Sequence, residues 1–389
     1  MLNIKYFFLI FVALFSIQFF AQEKQTKIVW DRQNNIPIQY ATINSATNYS
    51  VSNENGYFEY DVLADTLTIK SLYYNEVKVV TQNSKENDTV FMVPKAFELE
   101  EIIIDKDDRF KTMVQAIPKN FALEPHKEKF FLRVILKKNS ELYKIVDLAG
   151  KVEKQTLFDT KTYPMPKKNY KVEVDNIRKA GIEDRQVDYE LLSFENFLTR
   201  IASVSLNPKY YDFSYKATDD LNLLKIQANP KNPDEIKTKG YYLVNNIDNA
   251  FKQVKIFYNN PNAEYTIKNS AKYRTAVFEL ESNFEKNNDT QKFQLNFAIF
   301  QAITDGSYKD KNDVFEVTYI YMATPIANTS VVKKNINLSK DIFDLNIKYN
   351  DEFWKNNEKL PLTFELQEFI NKVNTSKNSS DFKTKTNIK

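Results

Sequence analysis

Residues able to do chemistry are few in this chain, and their spacing limits what they can do. There is one histidine, His126, and no cysteine. A catalytic zinc site takes three protein ligands, commonly two histidines and a carboxylate, and keeps one position open. A single imidazole does not supply that set. The absence of cysteine removes disulfides, thiolate metal sites and a thiol nucleophile. A serine triad would have to use His126, which stands between Pro125 and Lys127, and no serine sits in a glycine-flanked elbow. His126 is therefore read as an exposed loop residue. The 5 glycines are scattered and form no phosphate-binding loop.

Carboxylates remain. Glu100-Glu101, Asp107-Asp108 and Asp219-Asp220 are adjacent pairs. Neighbours on a strand point to opposite faces, so Glu100 and Glu101 cannot share a site. Asp310, Asn312, Asp313 and Glu316 are oxygen ligands of a type that suits calcium, but they lack the glycine and the spacing of an EF-hand loop. They are read as a solvated hairpin tip, and Asn53-Glu54-Asn55 as a turn. No metal, cofactor or catalytic residue is expected. Lys and Arg number 54 against 51 Asp and Glu, a net charge of +3. That balance carries no nucleic-acid footprint. Arg178-Lys179 and Arg185 are read as part of a solvated basic face.

The elements that would position these residues are mostly strands. Aromatics make up 14% of the chain, with 30 Phe and 23 Tyr, which suits pleated surfaces. Lys5 followed by the apolar run from Tyr6 to Phe20, ending at Ala21, reads as a signal peptide over residues 1–21. The run is short for a spanning helix. Export would put the mature chain in the periplasm or at the outer membrane, with no transmembrane segment. Without a cysteine it would carry no lipoprotein anchor.

Residues 22–105 read as short strands separated by turn signals, which is the pattern of a β-sandwich. Ile36 to Thr42 alternates, Asn53 to Gly56 supplies a tight turn, and Tyr57 to Val62 returns as the second arm of a hairpin. "PIQYATI", "VSNENGYFEYDV" and "TLTIKSLYYNEVKVV", with the closing run Leu99 to Ile104, resemble the carboxypeptidase-regulatory-like domain of secreted Bacteroidota proteins. Pro37, Ala41, Ser52, Asn55, Gly56, Phe58 and Ser71 carry the likeness, and Tyr73-Tyr74-Asn75 departs from it. The resemblance implies a seven-stranded sandwich of immunoglobulin or transthyretin type. It implies no activity, and the zinc carboxypeptidases that such domains accompany need histidines this chain lacks.

Residues 106–373 read as a large curved antiparallel sheet with a few packed helices, so the fold class is mainly β, α+β. A helix from about Arg109 places Phe110, Val114, Ile117 and Phe121 on one face, with Pro118 ending or kinking it. Asn139-Ser140 joins two strands as a hairpin. The strongest helix signal is Ser193 to Val204, with Ser193 as N-cap and Phe194, Phe197, Leu198 and Ile201 as one apolar face. Leu366, Phe369, Ile370 and Val373 form another. From Asn374 the polar end, residues 374–389, is expected to fray. "AIPKNFALEP" and Gly240, Tyr242, Val244, Asn245 and Ala250 are similar to Bacteroidota envelope proteins with a lipoprotein-carrier-like sheet curved around a helix.

These readings converge on an exported, non-enzymatic envelope protein. Its expected partner is an apolar or lipid-like ligand, or an outer-membrane partner protein. The ligand would lie against Phe194, Phe197, Leu198 and Ile201. Two alternatives stand beside it: a secreted hydrolase of peptide or glycan using carboxylates, and a structural adaptor acting by strand addition.

Overall fold

In the computed structural model the described residues are 24–45, 49–61, 64–71, 74–81, 88–94, 102–103, 108–159, 164–183, 188–204, 206–218, 220, 222–268, 270–309, 311–357, 359–376 and 383–388. The signal-peptide segment, Leu99 to Glu101, Asp107, Arg185, Asp219 and Asp310 lie outside them. The chain divides into two compact units. One runs to Lys95 and includes Asn357–Thr363; the other holds Ala96–Asn356 and Phe364–Lys389.

The first unit contains two four-stranded sheets. In one, β1 (Lys24–Asp31) pairs antiparallel with β2 (Ile36–Pro37) and β5 (Tyr57–Asp61) and parallel with β8 (Thr89–Met92). In the other, β3 (Thr42–Asn44) lies between β4 (Tyr49–Val51) and β6 (Thr66–Lys70), with β7 (Val77–Val80) beyond. Val29 and Phe58 from the first sheet share a core with Ala41 and with Ile43, Leu67 and Ile69 of the second. This is the sandwich arrangement, since each sheet buries one face against the other.

The Asn-Gly turn does not close a hairpin between its flanking strands. Asn53 Oδ1 accepts hydrogen bonds from the Asn55 and Tyr57 amides at 2.9 and 3.0 Å. Gly56 takes φ 78°, and a Cβ there would lie 2.6 Å from the Val29 carbonyl oxygen. The turn thus delivers β5 to β1 in one sheet, while β3 and β4 stay in the other. Pro37 pairs with Trp30 at the end of β1, and Asn55 is exposed at the turn.

The second unit is built on a thirteen-stranded antiparallel sheet. Its centre is β10 (His126–Lys138), β11 (Glu141–Lys154), β12 (Tyr170–Glu183), β19 (Phe293–Tyr308) and β20 (Lys311–Ile326). β13 (Tyr211–Ala217), β14 (Leu223–Pro230), β15 (Thr238–Asn245), β16 (Ala250–Asn259) and β18 (Ala271–Lys286) extend it, with the short β17 (Thr266–Lys268) beside β18. Asn139 and Ser140 both take positive φ, which closes the β10–β11 hairpin as the spacing predicts. Gly240 lets β15 and β16 approach, because a Cβ would fall 2.4 Å from the Lys255 carbonyl oxygen.

One face of this sheet receives α1 (Arg109–Asn120) and α2 (Phe194–Ala202), which join its core. On β11 and β12 the C-terminal helix α4 (Phe364–Thr375) packs, burying Leu366, Phe369, Ile370 and Val373. It follows the shorter α3 (Asp351–Asn357), whose Trp354 is buried.

Four expectations are corrected here. Ile102–Ile103, read as closing the sandwich, is β9 and pairs with β13 in the second unit. Val114 is 42% exposed while Phe110 and Met113 are buried, and α1 continues past Pro118 to Asn120. Arg178 and Lys179 are buried, not solvated. The polar end does not simply fray, because Lys383–Thr386 forms β21, antiparallel to β12.

Candidate functional site: a cleft beside the single histidine

Where α1 ends, the chain turns through Phe121 to Pro125 and enters β10 at His126. This passage forms one wall of a cleft of about 500 Å³. The tip between β18 and β19 contributes Asn287, Asp289, Thr290 and Lys292, the start of β19 Gln294, and the end of β20 with the turn after it Pro325 to Asn328. Pockets that bury small ligands span about 300–1,000 Å³.

The apolar floor is rigid for a stated reason. The Phe121 ring stacks on Phe251 at 4.4 Å and contacts Phe158, Phe293 and Phe284 at 5.2, 5.6 and 5.8 Å. Each such pair adds roughly 0.5–1.5 kcal/mol beyond area burial. The backbone is tied as well: the Ala122 amide donates to the Phe293 carbonyl at 3.2 Å, and the Leu157 amide to the Ala122 carbonyl at 3.1 Å.

His126 is placed by strand periodicity. It shares a face of β10 with Glu128 and Phe130, which point to the interior. It is 5% exposed, which overturns its reading as an exposed loop residue. Its Nδ1 lies 2.9 Å from the Glu124 carbonyl oxygen. A carbonyl can only accept, so the ring proton sits on Nδ1 and Nε2 carries a lone pair. Nε2 is buried and meets no hydrogen-bond partner among the described residues. Burial pushes the imidazole pKa below its ordinary 6.5. Glu128 opposes this, Lys154 reinforces it, and the hydrogen bond to Glu124 opposes it.

Behind the histidine, Glu128 Oε1 accepts from the Tyr321 hydroxyl at 2.5 Å and from Lys154 Nζ at 2.6 Å. Burial, then Glu128, push the Tyr321 hydroxyl well above the usual phenol range. At the rim, Lys127 Nζ donates to the Asn328 carbonyl at 2.5 Å, and Lys292 Nζ donates to the Lys119 carbonyl. Glu124 and Asp289 line the cleft from exposed positions.

The residues expected to touch a ligand are elsewhere. Phe194, Phe197, Leu198 and Ile201 are each at most 1% exposed, and none lines the cleft. Phe194 packs against Phe130 at 4.9 Å, and Phe197 stacks on Tyr319 at 5.2 Å. Their apolar face is used to attach α2 to the sheet. Asp313 is likewise engaged, accepting from Asn139 Nδ2 at 2.9 Å and paired with Lys138 at 3.1 Å, while Glu316 accepts from the Ser140 hydroxyl at 3.5 Å. Among the described residues no group of three or more His, Asp or Glu is arranged to hold a metal ion. The residues of the cleft were missed because the signal was weak. His126, Lys127, Glu128 and Lys129 are all polar, so no apolar alternation marks a strand start or an inward face there.

No family model matches the chain, and no curated protein matches it. Solved structures do show similarity. A LolA superfamily protein from Nitrosomonas europaea, NE2245, shares 10% identity, covers 56% of this chain and 94% of its own, and superposes with a TM-score of 0.21. A crystal structure of MucB in complex with MucA shares 8% identity over 57% of this chain and 94% of that one, at a TM-score of 0.17. The Pseudomonas aeruginosa MucA/MucB complex gives 8%, 57%, 98% and 0.15 in the same order.

Proposed function

We propose that this is an exported, non-enzymatic binding protein whose cleft takes an apolar or amphiphilic ligand. The observation that carries the reading is the cleft itself: about 500 Å³, with Pro118, Leu123, Pro125, Pro325 and Ile326 among its lining and the buried Phe121 at its inner wall, held in a packed cluster of phenylalanines. A preformed wall binds without the ordering cost of a flexible one. Its lining combines one imidazole with Glu124, Asp289, Thr290, Lys127 and Lys292, and both lysine amines are engaged by backbone carbonyls. That set favours holding a ligand over turning one over. The apolar run before Ala21 supports export.

The test is mass spectrometry of the protein purified gently from its native envelope, after solvent extraction. A stoichiometric apolar species is expected, and it should be lost from Ala122→Trp, which fills the cleft from its wall. An extract empty of such a species, or one unchanged by Ala122→Trp, overturns the reading.

One observation favours an adaptor role. On β8, which pairs with β1, Phe91 is 48% exposed and the following Val93 38% exposed. Exposed apolar edges template strand addition. Crosslinking in cells should then recover a stable partner through this segment, and recovery of none counts against it.

A further inference from the structure

β21 (Lys383–Thr386) is the outermost strand of the thirteen-stranded sheet, and it lies in a groove whose walls are joined without it. One wall is the edge of β12, where Ile177 and Ala180 are fully buried. The other is the segment from Ile342 to Leu345. Lys179 Nζ ties the two walls together, donating to the Phe343 and Leu345 carbonyls at 2.5 and 2.7 Å. Gly181 lets them close up, because a Cβ there would lie 2.5 Å from the Phe343 ring. Neither tie passes through β21.

What holds β21 is polar and is read by alternate side chains. Antiparallel pairing sets Lys383 to Thr386 against Glu183 to Ala180. Lys383 and Lys385 pair with Glu183 at 3.3 and 3.2 Å, and Lys385 also with Asp344 at 2.5 Å. Asn387 falls on the same side and extends the ladder. Its Oδ1 accepts from the Lys179 amide at 3.0 Å, and its Nδ2 donates to the Ile177 and Ile347 carbonyls at 2.9 and 3.3 Å. On the opposite side the Thr386 hydroxyl donates to Asn374 Oδ1 of α4 at 3.2 Å, and Ile388 is buried. The fit has one flaw: the Thr384 hydroxyl is buried and meets no partner among the described residues. Salt screens ion pairs as exposed as those of Lys383 and Lys385, and β21 itself contains no apolar residue.

We infer that the β12 edge is a peptide site, that it takes an extended segment with lysines at alternate positions followed by an asparagine and an aliphatic residue, and that β21 is its built-in, replaceable occupant. The seated strand and the paired carboxylates argue for this chemistry. The incoming occupant is a strand of another protein, added by antiparallel pairing. The backbone ladder supplies affinity, and Glu183 and Asp344 select the lysines. A valine at the place of Thr384 has the same shape and strands no hydroxyl, so a foreign strand carrying it should bind about tenfold more tightly than the chain's own sequence. The site shares no residue with the cleft beside His126 and stands without it.

The experiment uses the full chain and a fluorescent peptide of residues 383–389 carrying Thr384→Val, followed by anisotropy at low salt. In the wild type β21 competes at an effective concentration on the order of millimolar, so binding should be weak. Asn387→Ala in the protein unties β21 and should raise the affinity by about tenfold or more. The peptide with threonine retained should bind that variant about tenfold more weakly than the valine peptide. Glu183→Gln added to Asn387→Ala should weaken binding severalfold and flatten its dependence on salt. Equal binding of a scrambled peptide, no gain from Asn387→Ala, or no loss from Glu183→Gln overturns the inference. Wild-type dimers in light scattering that the peptide disperses would seat a second copy in the groove and overturn the foreign strand. Hydrogen exchange adds a measurement that needs no variant. The β21 amides should exchange well before those of β11, and exchange only together with β11 would mean that β21 is not replaceable.

Discussion

Asp147 is the residue on which one face of the second unit turns. Arg133 Nε and Arg178 Nη2 reach its carboxylate at 2.8 and 2.6 Å, and both Asp147 and Arg133 are fully buried. The Arg178 guanidinium also lies 4.9 Å from the centre of the Trp354 ring. Strand register makes this cluster, because Arg133 pairs with Asp147 across β10–β11 and Asp147 with Arg178 across β11–β12. Removing one member of a buried ion pair costs about 3–5 kcal/mol, since the remaining charge is left uncompensated. Asp147→Ala should therefore lower stability by about that amount in urea denaturation, and Asp147→Asn by a comparable one. Burial pushes the Asp147 carboxyl up, but the two guanidiniums and their hydrogen bonds more than reverse it, leaving it below 3.8. Its contribution is thus present above the unfolded carboxylate range and lost as pH falls through the folded value. Acid titration of stability below about pH 4 should be steeper in the wild type than in Asp147→Asn. Nothing in the spacing of residues 133, 147 and 178 announces the cluster, and Arg178 read alone looks solvated.

Among the elements, α2 shows what local pattern can and cannot supply. Ser193 caps it, its hydroxyl accepting from the Asn196 amide at 3.2 Å. Phe194, Phe197, Leu198 and Ile201 face inward at the helical period. Phe197→Ala should cost about 3–5 kcal/mol through lost burial and the cavity left against Tyr319. Ser193→Ala should cost about 1 kcal/mol, with Ser193→Asp retaining the cap. Urea midpoints check both, and a Phe197→Ala loss below about 1 kcal/mol would mean that the helix face is not load-sharing core. The stripe and its cap were legible because both depend on neighbours within a turn. What the stripe covers was not, because β10 and β20 lie some 60 residues before and 120 after it. β21 fails in the other direction. Its Lys-Thr-Lys-Thr sequence has nothing apolar to bury, yet it pairs by backbone with Ala180 to Glu183, and Asn387 holds the Lys179 amide at 3.0 Å.

At the scale of the whole molecule, two units carry separate cores, and the second is mostly sheet. Among the described residues no helix is long and apolar enough to cross a membrane. The segment before Gln22 bears on where the protein works. If it is a signal peptide, intact-mass measurement of protein recovered from the envelope fraction should find a chain beginning at Gln22, and a retained Met1 would remove the basis for export. The junction of the units was legible only in part. Residues 22–105 read as one region, while the first compact unit runs to Lys95 and Ile102–Ile103 belongs to the larger sheet.

The sequence by itself determined what depends on composition and short range: a mainly β chain, the sandwich pattern, the hairpin at Asn139-Ser140, the cap and stripe of α2, and the lack of thiol chemistry. Only the tertiary structure decided which strands meet. That choice carried β5 to β1 across the Asn53–Gly56 turn, buried Arg133 and Arg178 around Asp147, and closed the face of α2 that looked like a ligand surface. It also brought Phe121, Asn287 and Pro325 around His126. The physical reason is common to all of these. Strand pairing is made by backbone groups that every residue carries, so partners distant in sequence leave no mark on side-chain type until the register is set.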